Sequence, residues 1–464
     1  MSSGLTQPDD YHQIAIVGGG IAGLTLALAF ERLGIDYALF EAKESLAPNE
    51  GAGIGLLPTG LRVLDQLGLM EEIEKHTDPL KTFHYIDGHG KLLSSANAIG
   101  HYSSKIGYGG LFLERQKLLK IMSERLEGKG IVKTSTRVTS LKEEEDCVII
   151  TTSDGLQSKA DLVIGADGVR SCVRKCIDAS KPEECIHSDN YMSTRFACVY
   201  GISFPTVGVS EGHCFSLYRK DTTIIGFTGK GGVIFWLVVK DLGHEYPLSQ
   251  APRYSATEID ALCQSVVHLK ISPITDFGKV YANRTTSVMI CLEEGMTKLW
   301  HTNRMVIVGD AAHKMVPNAA MGANQAIESS ATLVNEICKV FGASTDGRIL
   351  AAALGSALAR YQELREPRAS EAQKRAGILC RAQLCHTGQA ETMLEELPIL
   401  SDGDWLFRAF MGFSEASMIE SIPSTERARF YDTAVKEFLK KTKARQAGVL
   451  EVSNNVLMGL EYSN

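Results

Sequence analysis

The amino-acid sequence has no long apolar run, no dense stretch of basic residues and no pair of cysteines in a CxxC spacing. No apolar stretch reaches the ~18 residues that a membrane-spanning helix needs. The N-terminal stretch MSSGLTQPDDYHQ also lacks the charged-then-apolar layout of a signal peptide. These absences predict a cytoplasmic protein without an integral membrane segment, and they leave only a weak membrane association open.

The charge and the cysteine content argue against further classes of protein. The net charge is -7 at pH 7, which argues against nucleic acid as a partner and against strong attraction to an anionic membrane. The 11 cysteines are an odd number, and the closest pairs are Cys172/Cys176 and Cys380/Cys385. We therefore expect reduced, mostly buried thiols and no disulfide or metal site. A length of 464 residues suffices for two or three domains, while nothing indicates the oligomeric state.

A strand, a glycine-rich turn and a helix follow one another near the N-terminus. Apolar residues 14–17 form the strand, and Gly18-x-Gly20-x-x-Gly23 opens a helix that runs to about residue 32. A second strand follows and ends at Glu41. Such glycines let the backbone approach a pyrophosphate, whose charge the helix N-terminus receives, and a carboxylate at the position of Glu41 can accept hydrogen bonds from a ribose. The unit predicts dinucleotide binding.

Two later strands also end in a glycine and an aspartate. The first leads into Gly165-Ala-Asp167-Gly168, and the second leads into Gly309-Asp310 and then through Pro317 to a helix near Gly322. In a dinucleotide-binding fold, such strand ends approach the cofactor, and a carboxylate there can accept a hydrogen bond from a sugar hydroxyl. We interpret the nearby His313 as a structural histidine with a satisfied ring.

Two other segments have two interpretations each. The glycine-rich loop at residues 51–55 is either a plain turn or a close approach of backbone to a flat ring. Arg115, between a predicted strand and helix, is either solvated or directed back at the pyrophosphate.

The pattern changes in the middle of the chain. Residues 131–152 alternate like antiparallel strands, and residues 190–289 form short β-rich segments that predict a mixed or antiparallel sheet. Residues 356–445 have a helical pattern. We assign residues 1–78, 103–185 and 291–360 to a nucleotide-binding domain, residues 79–102 and 186–290 to a substrate domain, and residues 361–464 to a C-terminal helical region.

The three glycine motifs together resemble the single-component FAD-dependent monooxygenases of the aromatic hydroxylase type. They occur in the family's order, and the resemblance covers roughly residues 10–375. The phrases GAGIGLLPTG, CVYGIS and GDAAHKMVPN further resemble fungal enzymes that oxidise prenylated natural products in meroterpenoid and indole-terpenoid pathways. Ala320 and Met321 depart from the glycine and glutamine that the family usually has before Gly322, which leaves the motion of the flavin ring open.

The resemblance implies a fold, a cofactor and a reaction. The fold is α/β (α+β): a Rossmann-like FAD-binding domain, an inserted mixed β-sheet substrate domain and a C-terminal helical region. NAD(P)H would reduce FAD, and O2 would add to form a flavin hydroperoxide that passes one oxygen to an electron-rich carbon. The implied contacts to FAD are Gly18, Gly20, Gly23, Glu41, Gly53, Ile54, Arg115, Asp167, Gly168, Gly309, Asp310, Pro317, Gly322, Ala323 and Asn324.

The substrate is expected to be a bulky, apolar, prenylated molecule, and epoxidation of its alkene is the favoured reaction. The pocket residues expected in the apolar middle domain are Phe215, Phe227, Phe235 and Trp236. Arg195 is the one catalytic candidate, as a group directed at the flavin or the substrate. The alternative interpretation is that Arg195 is a surface arginine. Three other functions stay open: aromatic or indole ring hydroxylation of the salicylate-hydroxylase type, flavin-dependent halogenation, and non-catalytic FAD binding.

Overall fold

The computed structural model describes residues 10–50, 53–181, 191–341 and 351–449, so Gly51 and Ala52 of the glycine-rich loop lie outside the described residues. The strands are β1 (Tyr11–Val17), β2 (Tyr37–Phe40), β3 (Gly53–Leu56), β4 (Thr82–Asp87), β5 (Leu92–Ala96), β6 (Leu111–Glu114), β7 (Ile131–Lys133), β8 (Val138–Glu143), β9 (Val148–Thr152), β10 (Gln157–Gly165), β11 (Met192–Ser203), β12 (His213–Tyr218), β13 (Thr222–Thr228), β14 (Ile234–Pro247), β15 (Lys270–Ser272), β16 (Thr275–Asp276), β17 (Arg284–Met296), β18 (Met305–Ile307) and β19 (His313–Lys314). The helices are α1 (Ile21–Leu33), α2 (Pro58–Gln66), α3 (Met70–His76), α4 (Tyr102–Ile106), α5 (Arg115–Glu124), α6 (Cys172–Ser180), α7 (Ala256–Gln264), α8 (Phe277–Ala282), α9 (Gly322–Phe341), α10 (Ala351–Gln383), α11 (Thr387–Glu396), α12 (Asp402–Phe413) and α13 (Glu426–Val449).

The first sheet has seven strands in the order β7-β2-β1-β10-β9-β8, with β18 also paired to β10. Strand β1 pairs in parallel with both β2 and β10, and β18 pairs in parallel with β10. Residues Ile14, Ala15 and Ile16 are 0% exposed, as expected for a strand covered on both faces. The C-terminal ends of β1, β10 and β18 therefore meet at one edge of the sheet.

One segment of this sheet differs from the prediction. Residues 131–152 were expected to form only antiparallel strands, but β7 pairs in parallel with β2. The crossover from β2 to β7 contains α5, and such a connection joins parallel strands. Strands β8 and β9 do pair antiparallel.

The second sheet has eight strands in the order β19-β17-β11-β14-β13-β12-β4-β5. It is mixed, because β4 runs parallel to β12 while β11, β13, β14 and β17 pair antiparallel. Side chains alternate between its two faces. On β14, Phe235 and Leu237 belong to the cluster on one face, whereas Ile234 and Trp236 pack with α7 and α8 on the other.

The C-terminal helices pack on α9, on α4 and on the second sheet. Helix α10 packs against α9, and the α9 residue Glu328 is 0% exposed between Arg365 and Arg368 of α10. Helix α13 packs against α4 and α12. The predicted fold class is confirmed, while the domain boundaries stay a prediction. In the described part of the chain, no helix is long and apolar enough to cross a membrane.

Candidate active site

A cavity lies where the C-terminal ends of β1, β10 and β18 face the second sheet. In an open α/β sheet this edge is where ligands bind. One side of its lining comes from the ends of the first-sheet strands, from β3 and α5, and from the segment that runs through β19 to the start of α9, namely Gly20, Ile21, Ala22, Gly53, Ile54, Gly55, Arg115, Ala166, Gly168, Val308, Asp310, Lys314, Met315, Pro317, Ala320, Gly322, Ala323 and Ala326. The opposite wall consists of Phe112, Tyr200, Phe227, Leu237, Ile290, Cys291, Leu292 and Glu293.

The three glycines after β1 have different roles in the turn. Gly18 has a φ of +104°, and a Cβ there would lie 2.5 Å from the carbonyl oxygen of Ala166. A Cβ on Gly23 would lie 1.9 Å from the carbonyl oxygen of Gly18. Both glycines therefore allow close packing. At Gly20, by contrast, a Cβ would meet no atom within 4 Å, and this residue lines the cavity at the start of α1. The unbonded N–H groups of the first turn of α1 are thus accessible to a ligand.

Glu41 braces this turn in the structure. Its carboxylate accepts hydrogen bonds from the backbone N–H of Gly19 at 2.7 Å and of Lys43 at 2.8 Å. Glu41 does not line the cavity, and its contact to a ribose stays a prediction.

Asp167 caps the helix that follows β10. One carboxylate oxygen, Oδ2, accepts hydrogen bonds from the backbone N–H groups of Cys172 at 2.7 Å and Val173 at 3.3 Å. The other oxygen, Oδ1, is buried and has no hydrogen-bond partner among the described residues. The neighbouring Gly168 has a φ of +73°, and a Cβ there would meet nothing within 4 Å. Gly168 lines the cavity. Beside it, Asp167 Oδ1 is a hydrogen-bond acceptor that no described residue uses.

Asp310 lines the cavity as a member of an ion pair. It lies on the turn after β18, where Gly309 has a φ of +63°, and Asp310 Oδ2 is 2.6 Å from Lys314 Nζ. Burial disfavours the charge of Lys314, but the carboxylates of Asp310 and Glu293 outweigh it and raise the lysine pKa. Lys314 is therefore charged at neutral pH.

Arg115 has no partner within the described residues. It is the first residue of α5 and lines the cavity, but its guanidinium makes neither an ion pair nor a hydrogen bond there. A free cation in a cavity fits an anionic ligand group. This geometry supports the pyrophosphate interpretation of Arg115.

The glycine-rich loop and the turn before α9 pack on each other. Strand β3 pairs with β6, and a Cβ on Gly55 would lie 2.8 Å from the Cβ of Ala320. Asn324 is 0% exposed and does not line the cavity. Its side chain accepts from the Leu57 N–H at 2.9 Å and donates to the carbonyls of Ala320 at 2.7 Å and Gly55 at 3.2 Å. Asn324 therefore holds the cavity-lining segments together.

The opposite wall, formed by Phe112 of β6 and by residues of the second sheet, is mainly apolar. The rings of Phe112 and Phe227 stack with centroids 4.2 Å apart, and Leu237 and Leu292 are nearly buried beside them. Of the expected pocket residues, only Phe227 lines the cavity. Phe235 packs behind Phe112, with ring centroids 5.1 Å apart.

Two of the expected pocket residues lie on the opposite face of this sheet. Trp236 packs against Phe277, and its indole N–H donates to Ser203 at 2.8 Å. Phe215 belongs to the same cluster behind the sheet. The apolar run in β14 did not indicate which of two adjacent side chains faces the cavity, and the structure places Leu237 there in place of Trp236.

Two polar residues of this wall were missed by the sequence interpretation. The hydroxyl of Tyr200 makes no hydrogen bond to any described residue, and burial together with Cys198 and Glu293 raises the pKa of Tyr200 well above its ordinary value. Glu293 is 8% exposed and pairs with Arg170 at 3.5 Å. Side chains alternate between the two faces of a strand, so Tyr200 lies on the same face of β11 as Cys198. This alternation in CVYGIS could have indicated that Tyr200 faces the cavity.

Arg195 and His313 lie outside the cavity lining. Arg195 makes a two-point contact to the carboxylate of Asp241, at 3.1 and 3.2 Å. A catalytic role for Arg195 therefore finds no support in its position. His313 is 1% exposed, its Nε2 lies 2.9 Å from Ser329 Oγ, and burial with the nearby Arg365 lowers its pKa to about 4. His313 is therefore neutral and structural, but its Nδ1 is buried without a hydrogen-bond partner among the described residues, so the expectation of a satisfied ring is wrong.

Comparison with known proteins places the chain in a family. Residues 11–376 match the model of the FAD binding domain family, and the chain belongs to that family. It is 36% identical over 380 residues to the FAD-dependent monooxygenase andE of Emericella variicolor, and 35% identical over 379 residues to paxM of Penicillium paxilli. These matches cover 80% of this chain in both cases, and 80% and 79% of the relatives.

Solved structures share the fold. Klebsiella pneumoniae HpxO complexed with FAD and uric acid superposes with a TM-score of 0.70 at 21% identity, over 87% of this chain and 97% of that one. A salicylate hydroxylase substrate complex superposes with a TM-score of 0.67 at 18% identity, over 88% and 98%. The chain is an oxidoreductase, a FAD-dependent monooxygenase, as the resemblance implied. Its cofactor is FAD, and NAD(P)H is the reductant typical of this family.

The residues of the cavity fit FAD. Space is open at Gly20, Gly168 and Gly322, where an added Cβ would meet nothing within 4 Å. The free guanidinium of Arg115 and the unpaired Oδ1 of Asp167 supply a donor and an acceptor that no described residue uses. The individual contacts of these residues to FAD stay predictions.

Proposed function

We propose that the protein epoxidises a prenyl alkene of a fungal secondary metabolite, a meroterpenoid or an indole terpenoid, with NAD(P)H as reductant and O2 as oxidant. The observation that carries this proposal is the apolar wall formed by Phe112, Phe227, Leu237 and Leu292. Transfer of an electrophilic oxygen to an alkene needs shape and an apolar wall, whereas a small charged substrate would lose its hydration against these four side chains without compensation. The fungal relatives named as FAD-dependent monooxygenases support the same class.

Each side of the cavity would serve one part of the reaction. When bound, FAD accepts a hydride from NAD(P)H and activates O2 for transfer of one oxygen atom. The α1 N-terminus and Arg115 would bind the pyrophosphate, and Asp310 would accept a hydrogen bond from the sugar chain. The stacked rings of Phe112 and Phe227 would keep water from the reacting atoms. The raised pKa of Tyr200 makes its hydroxyl a donor that can orient an oxygen of the substrate.

A specific observation also supports aromatic or indole ring hydroxylation as the second candidate. The carboxylate of Glu293 lines the cavity, and a phenol is activated when a base accepts its proton. Epoxidation requires no such base. The two reactions therefore predict different effects of removing this carboxylate.

The test is incubation of the purified protein with NADPH, O2 and a farnesylated aromatic compound, followed by mass and NMR analysis. One oxygen on the terminal alkene is the expected product. Oxygen on the ring with an untouched prenyl chain would replace the proposal by ring hydroxylation. NADPH oxidation that no prenylated aromatic stimulates would contradict both.

The variant Glu293→Gln separates the two reactions further. We expect epoxidation to keep kcat within about threefold, because the amide keeps the shape of the wall. Under ring hydroxylation, kcat would fall by about 100-fold or more, and the pH profile would lose the contribution of the base. Arg170→Gln is the matched control, since it removes the ion-pair partner and keeps the carboxylate. We also propose a cytoplasmic location, which fractionation of cells that express the protein tests.

A further inference from the structure

Three large apolar side chains are exposed at one end of the second sheet. Phe204 and Val207, on the loop after β11, are 63% and 85% exposed, and Ile274, between β15 and β16, is 63% exposed. Single exposed apolar residues are ordinary, but a contiguous group marks a contact surface. We call these three residues the apolar tip.

The backbone of the two loops is tied together. The hydroxyl of Thr275 donates to the Val207 carbonyl at 2.6 Å, and the Phe204 N–H donates to the Asn283 carbonyl at 3.1 Å. A Cβ on Gly208 would lie 2.7 Å from the Ile274 side chain, so Ile274 covers this glycine. The loops therefore hold their apolar side chains outward as one unit.

Two cations flank the apolar tip. Lys279 donates to the Ile274 carbonyl at 3.2 Å, and Arg284 lies over the ring of Tyr281 and opposite Ser203 in the strand register. Neither forms an ion pair with any residue that the structure describes. The nearby carboxylate of Asp276 is occupied, because it caps the backbone N–H of Lys279 and pairs with Lys270. Both flanking cations are thus available to phosphate groups.

An apolar edge leads from this end of the sheet to the cavity. Strand β17 begins at Arg284, and between there and Glu294 it pairs on one side only among the described strands. Val288 and Ile290 of β17 are 42% and 45% exposed, and Val288 pairs with Tyr200, so both lie on the cavity face. Ile290 itself lines the cavity. The distance along the strand from Arg284 to Ile290 is about 20 Å.

The geometry points to the apolar tip as the site at which the protein docks on a lipid bilayer surface, with β17 as the route of an apolar substrate into the cavity. Three apolar side chains on two joined loops form a small patch that suits insertion between lipid head groups, whereas a protein partner is bound more often by a larger continuous face. The free charges of Lys279 and Arg284 suit lipid phosphates. The route along β17 rests on the proposed function, but the docking surface does not.

Vesicle flotation of the FAD-loaded protein tests this inference. Vesicles of phosphatidylcholine with and without one part in five of phosphatidylserine are the probes. We expect wild-type protein to float, and Val207→Ser/Ile274→Ser to bind about tenfold or more weakly. The matched control is Leu156→Ser/Ile399→Ser, because these residues are 65% and 78% exposed elsewhere on the surface and should not affect binding. Lys279→Gln/Arg284→Gln should weaken binding to the anionic vesicles most.

Other outcomes overturn the inference. The inference is contradicted if wild-type protein floats with neither vesicle type. It is also contradicted if the control variant Leu156→Ser/Ile399→Ser loses as much vesicle binding as Val207→Ser/Ile274→Ser. A wild-type dimer that Val207→Ser/Ile274→Ser converts to a monomer would identify a second copy as the occupant instead. FAD absorbance and the melting midpoint confirm that each variant is folded. NADPH oxidation in vesicle-free buffer tests the reaction separately from docking.

Discussion

At the scale of single residues, the glycines of the first motif divide into packing positions and one ligand position. Gly18 and Gly23 admit no side chain, because added atoms would meet backbone at 2.5 and 1.9 Å. Gly20 adopts a φ of -76°, which any residue can have, and its surroundings are open. The absence of a side chain at Gly20 therefore leaves room for a ligand in the cavity, but the fold does not require it.

Gly20→Val is expected to give folded but colourless protein. The valine side chain would enter the space beside the α1 N-terminus and displace the pyrophosphate, and loss of charged hydrogen bonds there corresponds to about 100-fold weaker FAD binding. Absorbance of the purified variant and titration with FAD measure this. Gly412→Val is the control, since a Cβ at Gly412 also meets nothing within 4 Å but lies in α12. A fully yellow Gly20→Val protein would refute the assignment of the first motif.

At the scale of elements, the turn between β19 and α9 carries backbone strain. Ala320 has a φ of +53°, a conformation that costs a residue with a Cβ about 1 kcal/mol. A glycine would adopt it freely. Asn324 and the contact with Gly55 hold the turn in place. The alanine at position 320 therefore stores strain in this turn.

Ala320→Gly should increase the free energy of unfolding by about 0.5 to 1 kcal/mol, because relief of the left-handed strain outweighs the added flexibility of the unfolded chain. Urea unfolding measures the change. Ala319→Gly is the matched control: its φ is not positive, so the same substitution should lower stability by about 0.5 to 1 kcal/mol. Equal destabilisation by both would show that the turn relaxes around alanine.

At the scale of the whole molecule, a buried polar network joins the C-terminal helices to the cavity elements. Arg365 of α10 contacts Glu328, Ser329 and Gln325 of α9, and Ser329 in turn contacts His313. All of these side chains are almost completely buried. Charges in such a network are costly unless each has its partner, so the network specifies how α10 docks on α9.

His313 should make the stability of the whole protein depend on pH in a defined window. Burial lowers its folded pKa to about 4 from the ordinary 6.5, so between these values the unfolded chain binds a proton that the folded chain does not. Stability therefore falls as the pH decreases from 6.5 towards 4, by about 1.4 kcal/mol for each pH unit from this group.

Urea unfolding at pH 6.5, 5.5 and 4.5 measures this dependence. His313→Gln should have a shallower slope than wild type, because glutamine binds no proton. His101→Gln removes an exposed histidine and serves as the control. Parallel slopes for wild type and His313→Gln would mean that other groups cause the loss of stability at acidic pH.

Elements with strong local signals could be predicted from the sequence. The βαβ unit and the mixed sheet follow from apolar periodicity and glycine placement, which act over a few neighbouring residues. The two Gly-Asp strand ends could also be placed at one cavity, because parallel strands end at the same edge.

Only the tertiary structure decided which way each side chain points and which residues it contacts. Trp236 and Leu237 are adjacent in one apolar run, and only the packing of α7 and α8 behind the sheet places Leu237 in the cavity. The sequence does not indicate which of Arg195 and Arg115 has an ion-pair partner. The fold brings Asp241 to Arg195 and leaves Arg115 without a partner among the described residues. The sequence determined which chemistry the chain carries, because that depends on local motifs. Which side chains face the cavity depends on contacts between distant residues, and those exist only after folding.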